Sequence, residues 1–364
     1  MFYLTPRKEI SLFFTISIPV ISILLTIIFG FFIFSILGYD PGKALYHFFI
    51  SPLSRLDKIA DLFVKACPLM IIGTGLVLCF RANIWNIGAE GQLIMGAVFA
   101  GGLALSFSES QSVWLLPAMA IFSFIGGALW ALFPALLKIK LRTNEILVTL
   151  MLTYVASLFL DWLVRGPWRS PTSFGFPLTK YYPDVGLISK IYFPGIGNIS
   201  QLHWGVFIAI LICLLCWFAM EKTVFGFQIK LIGDSPQALR FSGFNESKTT
   251  ITLFIISGGL AGLAGMIEVS ANIGQLQPNI SFGYGFTAII VAFLARLNPA
   301  AVIISGLLIA LIEVGGDSAQ IALAIPKVVT GVFKGILLFF LLAGETLTKY
   351  EIGFNYNQKS SLND

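Results

Sequence analysis

Apolar positions along this chain run in long blocks, neither alternating as in a half-buried strand nor forming the narrow stripe of a soluble helix, and short clusters of Gly, Pro and charge separate them. At about 1.5 Å per residue a helix needs roughly 20 apolar residues to cross a ~30 Å hydrocarbon layer. Blocks of that order fall at residues 10–37, 59–80, 87–107, 113–137, 145–164, 204–220, 249–270, 282–297, 300–314 and 325–343. They predict an all-α polytopic membrane protein with about ten transmembrane helices. The eighth and ninth blocks are short and separated only by "LNPA". A helical hairpin that stops short of a full crossing is expected there.

Composition supports the membrane reading: 57% of the 364 residues are hydrophobic and 11% are charged, where a soluble domain carries about 25% charged residues. The net charge of +5 belongs to loops, so no nucleic-acid partner is called for. With the N-terminus inside, Arg7, Lys8, Arg81, Lys138, Lys140, Arg142, Lys222, Lys230, Arg240, Lys248, Arg296, Lys349 and Lys359 all fall on the inner side. The outer side then holds Lys43, Arg55, Lys58, Arg165, Arg169, Lys180 and Lys190, and both termini are cytoplasmic. The first block is longer than a signal-peptide core of roughly 7–15 residues and no small-x-small site follows, so it reads as a retained anchor.

Cys67, Cys79, Cys213 and Cys216 all lie in apolar blocks and read as packing residues, not metal or redox ligands. His47 and His203 stand apart from any acid or cysteine cluster, so no metal site, nucleophile or other catalytic constellation is visible. No G-x-x-x-x-G-K-[ST] occurs, which excludes the usual ATP-phosphate loop.

Two extramembrane segments are long. The external one, residues 165–201, is rich in Pro, Gly and aromatics and is expected to form a structured cap. Within the internal one, residues 221–248, Ser235 suits a cap, Pro236 a first helical position and Gly243 a left-handed stop, predicting a two-turn helix over residues 236–242. So short a helix needs a partner surface.

The stretch "RANIWNIGAEGQLIMGA" from Arg81 is the chemically dense part of the apolar sequence. Buried polar groups are expensive in a bilayer and normally face a cavity or one another. Asn83, Asn86, Glu90 and Gln92 are therefore expected at an interrupted helix start beside a translocation path, with Asn86 and Glu90 sharing one face; a hydrogen-bonded network that merely holds the helix break is the competing reading. Glu268 and Asn272 form another i,i+4 pair and are further candidates for the translocation path; Glu313 and Asp317 are likewise i,i+4, while Lys327 and Lys334 lie two turns apart. A salt bridge from Lys334 to Glu313 or Glu268 is expected. Gly258, Gly259, Gly262 and Gly265 in "SGGLAGLAG" suit close helix packing.

Four stretches in order, "RANIWNIGAEGQLIMGA", "FGFQIKLIGDSPQALRFSGF", "SGGLAGLAGMIEV" and "GYGFTAIIVAFLARLNPAA", resemble permease subunits of ABC importers of the ribose and branched-chain amino acid class. The N-I-G-A-E-G-Q form is most similar to the nucleoside and simple-sugar branch. The resemblance implies a single transmembrane permease domain over residues 1–364 in a bacterial cytoplasmic (inner) membrane, importing a small polar solute, a nucleoside first and a simple sugar second. It also implies three partners: an ABC ATPase holding ATP and Mg, a second permease subunit that is a paralogue or a second copy, and an extracytoplasmic solute-binding protein. No cofactor is expected in this chain. Gly226, Lys230, Gly233, Asp234, Pro236, Ala238, Arg240 and Gly243 would form the loop that docks on the ATPase; Lys230, Leu231 and Leu239 depart from the usual Arg, Ala and Ala there. The rival class is an ion-coupled secondary transporter using Glu90, Asp161, Glu268 or Lys334.

Overall fold

The computed structural model describes residues 2–6, 12–193 and 197–354, so Arg7, Lys8, Ile10 and Lys359 lie outside it. In chain order the helices are α1 (Leu12–Ile36), α2 (Pro41–Leu45), α3 (Leu56–Arg81), α4 (Ala89–Ser106), α5 (Leu115–Leu141), α6 (Glu145–Arg165) and α7 (Gly205–Lys222). There follow α8 (Val224–Asp234), α9 (Pro236–Phe241), α10 (Glu246–Glu268), α11 (Tyr284–Leu294), α12 (Val302–Leu323) and α13 (Val328–Lys349). A π-helical turn, Val269–Ile273, extends α10.

Seven of these helices, α3 to α7, α10 and α12, are long and apolar enough to cross a membrane; α11 and the apolar parts of α1 and α13, Val20–Ile36 and Val328–Gly344, are shorter. The expected short hairpin is thus corrected: α11 is short, but α12 has 22 residues. The sequence block closed at Val314, yet Gly315 and Gly316 continue α12; they are glycine because a Cβ there would overlap the Phe48 backbone and the Thr330 side chain. The all-α expectation is also amended by two small antiparallel ribbons. One pairs β1 (Phe2–Pro6) with β4 (Tyr350–Phe354), and the other pairs β2 (Lys190–Phe193) with β3 (Gly197–His203).

The chain divides into two compact units. The unit of Met1–Ser51 and Gly315–Asp364 packs α1 on α13 through Phe34, Phe48 and Phe333, whose rings lie 5.0–5.5 Å apart, and Asp317 pairs with Lys327 at 2.9 Å. The unit of Pro52–Val314 is built on α3, α4, α5 and α10. Small residues let these backbones approach: a Cβ on Gly96 would overlap Gly262, one on Gly258 would overlap Ala131, and one on Gly265 would overlap the Leu93 carbonyl. In a bilayer, where lipid is as apolar as leucine, such close packing replaces the hydrophobic effect as the force between helices.

Candidate translocation site

The larger unit contains two interrupted helices that meet. The first break follows α3. Asn83 adopts the left-handed conformation (φ 55°), its N–H donates to the Phe80 carbonyl at 3.1 Å and the Ile84 N–H to the Cys79 carbonyl at 3.0 Å. This double closure ends a helix, and asparagine is among the few non-glycine residues that tolerate the left-handed turn. The chain then turns back beside α3. Asn86 donates to Ser257 Oγ at 3.1 Å, and Ser257 packs against Gly75, six residues before Arg81 at the end of α3. At about 1.5 Å per residue, α4 therefore begins roughly 9 Å inside that end of the bundle.

Residues 82–88 have no helical ladder: the first N–H groups, to Ile84, return to the carbonyls of α3, and those of Ile87 and Gly88 go to side chains. Asn86 and Gln92 form a reciprocal amide pair, 2.9 Å in each direction, and Asn86 Oδ1 also accepts from the Gly88 N–H at 3.2 Å. The Ile87 N–H donates to Thr149 Oγ1 at 3.3 Å, and a Cβ on Gly88 would come within 2.6 Å of the Thr149 carbonyl. Asn86 and Gln92 are fully buried. Because α4 starts only at Ala89, Asn86 and Glu90 do not share a helical face as the i,i+4 spacing implied.

The second break precedes α11. With 11 residues this helix is about 16 Å long, half a bilayer. Its first N–H groups have no intrahelical acceptor and, away from water, must find one. Glu90, in the first turn of α4, supplies it: Oε1 accepts from the Gly283 N–H at 3.2 Å and Oε2 from the Gly285 N–H at 2.6 Å. The positive end of the α11 dipole adds to the attraction. Gly285 is required here, since a Cβ would overlap the Glu90 backbone nitrogen.

A polar chain runs outward from this junction. Lys65 of α3 donates to Tyr284 Oη at 3.3 Å, Tyr284 hydrogen-bonds to Glu268, and Asn272 Nδ2 donates to Glu268 at 2.8 Å. Glu268 and Tyr284 are buried, whereas Asn272, on the π-helical turn, is exposed. Lys65 and Tyr284 did not figure among the sequence-derived candidates. The signal for Lys65 was a lone ammonium in an otherwise apolar block.

At the basic end of the bundle, the segment predicted to hold one short helix holds two. Thr223 caps α8, accepting from the Gly226 N–H at 3.3 Å, and Ser235 caps α9, accepting from the Ala238 N–H at 3.3 Å. Gly243 takes the left-handed stop (φ 78°). Gly226 lies against the Met220 backbone, and Gly233 lies against the Arg81 carbonyl. Lys230 pairs with Glu221 at 2.8 Å and Arg240 with Glu246 at 2.6 Å, while Phe241 is 93% exposed. Asp234 is exposed.

At the other end, residues of the 165–201 segment fold back over α10. Thr179, Tyr182 and Ile188 donate backbone N–H groups to Leu276, Gly274 and Ser270 at 2.8–3.1 Å. Burial pushes the Tyr182 phenol well up and the His203 imidazole down to about 4. His203 Nδ1 accepts from the Gly205 N–H at 3.1 Å.

Comparison with known proteins accounts for the arrangement. The family model described as "branched-chain amino acid transport system / permease component" matches residues 58–342. The chain is 30% identical to the glucose ABC transporter permease protein TsgB13 of Haloferax volcanii, over 98% of this chain and 95% of that one. It is 26% identical to the guanosine ABC transporter permease protein NupP of Bacillus subtilis, over 89% and 92%. It is 25% identical to the nucleoside ABC transporter permease protein NupB of Lactococcus lactis subsp. cremoris, over 90% of each. These relatives are permease subunits, not ATPases. The chain belongs to the branched-chain amino acid transport system permease family, as a multi-pass ABC transporter permease subunit of the inner membrane.

Proposed function

We propose that this subunit imports a nucleoside, with its basic end in the cytoplasm and the solute passing the junction of α4 and α11. One observation carries the reading of an uncharged solute. Lys65 and Glu268 meet through Tyr284, and the Glu90 carboxylate is taken up by the Gly283 and Gly285 N–H groups, so each charged side chain at the junction is engaged by the protein and none is set out to pair with a charged solute. Trp85, half-buried, with its ring 5.3 Å from that of Phe80 and 6.1 Å from that of Phe293, supplies an aromatic face for a flat base. The guanosine and nucleoside permeases among the relatives support this choice, and the 30% identity to a glucose permease favours a sugar as the second reading.

ATP and Mg are held by a partner ATPase that docks on α8 and α9, where the fully exposed Phe241 gives a partner an apolar contact. A second permease subunit and an extracytoplasmic binding protein complete the importer. The test is uptake of labelled guanosine and glucose into vesicles holding this chain with those partners. Guanosine uptake that needs ATP is expected; ATP-dependent uptake of glucose alone selects the sugar reading, and uptake without the ATPase that follows an ion gradient overturns the function.

A further inference from the structure

The non-helical segment at residues 82–88 closes an open helix end at each of its limits. At one, Asn83 Nδ2 donates to the Gly233 carbonyl at 3.0 Å, in the last turn of α8, where carbonyls have no intrahelical donor. The Arg81 carbonyl lies against Gly233 so closely that a Cβ would not fit. At the other, Glu90 takes up the first N–H groups of α11. Between the two, the Asn86–Gln92 amide pair and the Ser257 and Thr149 hydroxyls pin the segment to α10 and α6. A shift of about 1 Å at Asn86, Gln92 or Glu90 would leave buried donors or acceptors unmade, at roughly 1–3 kcal/mol each, while at the exposed Asn83 joint the close contact of Gly233 with the Arg81 carbonyl limits movement, so the segment has little slack in which to absorb motion.

We propose that residues 82–90 are a strap that carries displacement of the α8–α9 loop to the half-helix α11, with Asn83 and Glu90 as positioning residues at its two joints. The proposal rests on the reading of α8–α9 as the ATPase-docking loop. Two motifs far apart in sequence, one facing the motor and one facing the solute, are thereby joined without passing through the covalent connections α7 and α10. Such coupling requires a contiguous physical element biased by both sites, and the strap is one.

The test uses the complete importer with Asn83→Gly, which keeps the left-handed backbone while removing the amide, and Glu90→Gln, which keeps the shape at the other joint. Three quantities are read: co-purification of the ATPase, binding-protein-stimulated ATP hydrolysis, and solute moved per ATP. Asn83→Gly, away from the solute junction, is expected to retain the ATPase and hydrolyse ATP within about twofold of wild type while solute moved per ATP falls about fivefold or more, the scale of a typical coupling free energy, and Glu90→Gln, at the junction, is expected to lower solute moved per ATP as well. Asn83→Asp, which accepts the same backbone turn but offers an acceptor to the Gly233 carbonyl, is expected to behave as Asn83→Gly does. Uptake and hydrolysis falling in step, or uptake per ATP unchanged in Asn83→Gly, overturns the strap. An ATPase that fails to co-purify with the wild-type chain instead overturns the docking reading on which it rests.

Discussion

Removing the Glu90 carboxylate tests whether this acid is a structural partner of the backbone. Its two oxygens accept from the Gly283 and Gly285 N–H groups at 3.2 and 2.6 Å, and the Glu90 side chain is buried. Hydrogen bonds to a charged group contribute about 1.5–3 kcal/mol each, so Glu90→Ala is expected to cost roughly 3–6 kcal/mol. Glu90→Gln keeps one acceptor oxygen but turns an amide toward the second N–H, for a loss of about half that size. For a long chain, about 2 °C of melting temperature accompanies each kcal/mol. Thermal unfolding in one detergent and lipid mixture should therefore show a drop of roughly 6–12 °C for Ala and half of it for Gln. Amide exchange at Gly283 and Gly285 should accelerate in the same order. A fall of less than about 2 °C for Glu90→Ala, with exchange unchanged, refutes the assignment.

Three further outcomes follow from the same geometry. Gly285→Ala places a methyl against the Glu90 backbone and should lower folded yield, whereas Gly331→Ala, where the space is open, should not; immunoblotting of membrane fractions compares them. Lys65, half-buried, and Glu268, buried, are joined through Tyr284, so Lys65→Met removes the cation that favours the Glu268 carboxylate, and the double variant Lys65→Met with Glu268→Gln should cost less than the sum of the singles in a thermal double-mutant cycle. His203, held near 4 against about 6.5 when unfolded, binds its proton more readily in the unfolded state between those values. Stability is thus fully present above about pH 6.5 and falls by up to about 1.4 kcal/mol per unit as the pH drops toward 4. His203→Phe should flatten that slope in melting curves taken across the window; an unchanged slope places the titrating group elsewhere.

The positions of the membrane-crossing blocks were legible because hydropathy averages over many residues, and α6 begins at Glu145 as read from the sequence. Single residues escaped that average. Lys65 disappeared inside a block of mean apolar character although it anchors the polar chain at α11. α8 was not expected, because Gly226 and Gly233 stand within it and a sequence cannot distinguish a glycine that ends a helix from one that lets a carbonyl approach; both glycines here lie against backbone, of Met220 and of Arg81. The cap, first position and stop of α9 were readable because Ser235, Pro236 and Gly243 act through their own local backbone. The partners of Glu90, nearly two hundred residues away, were not.

The density of polar residues from Arg81 to Gln92 follows from the backbone, before any solute is considered. Interrupting a helix inside a bilayer exposes N–H and C=O groups that lipid cannot satisfy, so an acceptor or donor must come from a side chain nearby. Asn86 and Gln92 serve each other and Gly88, and Glu90 serves the start of α11, all buried; Asn83, exposed, serves the end of α8. The same argument sets what can change. A substitution at Glu90 leaves the Gly283 and Gly285 donors open whatever replaces it, unless the new side chain or a neighbour brings an oxygen to the same point. Restoring function to Glu90→Ala should therefore require an acceptor introduced beside α11, not a charge placed anywhere else in the path. A selection for suppressors that returns only distant charge changes would show that Glu90 is needed for its field and not for its two hydrogen bonds.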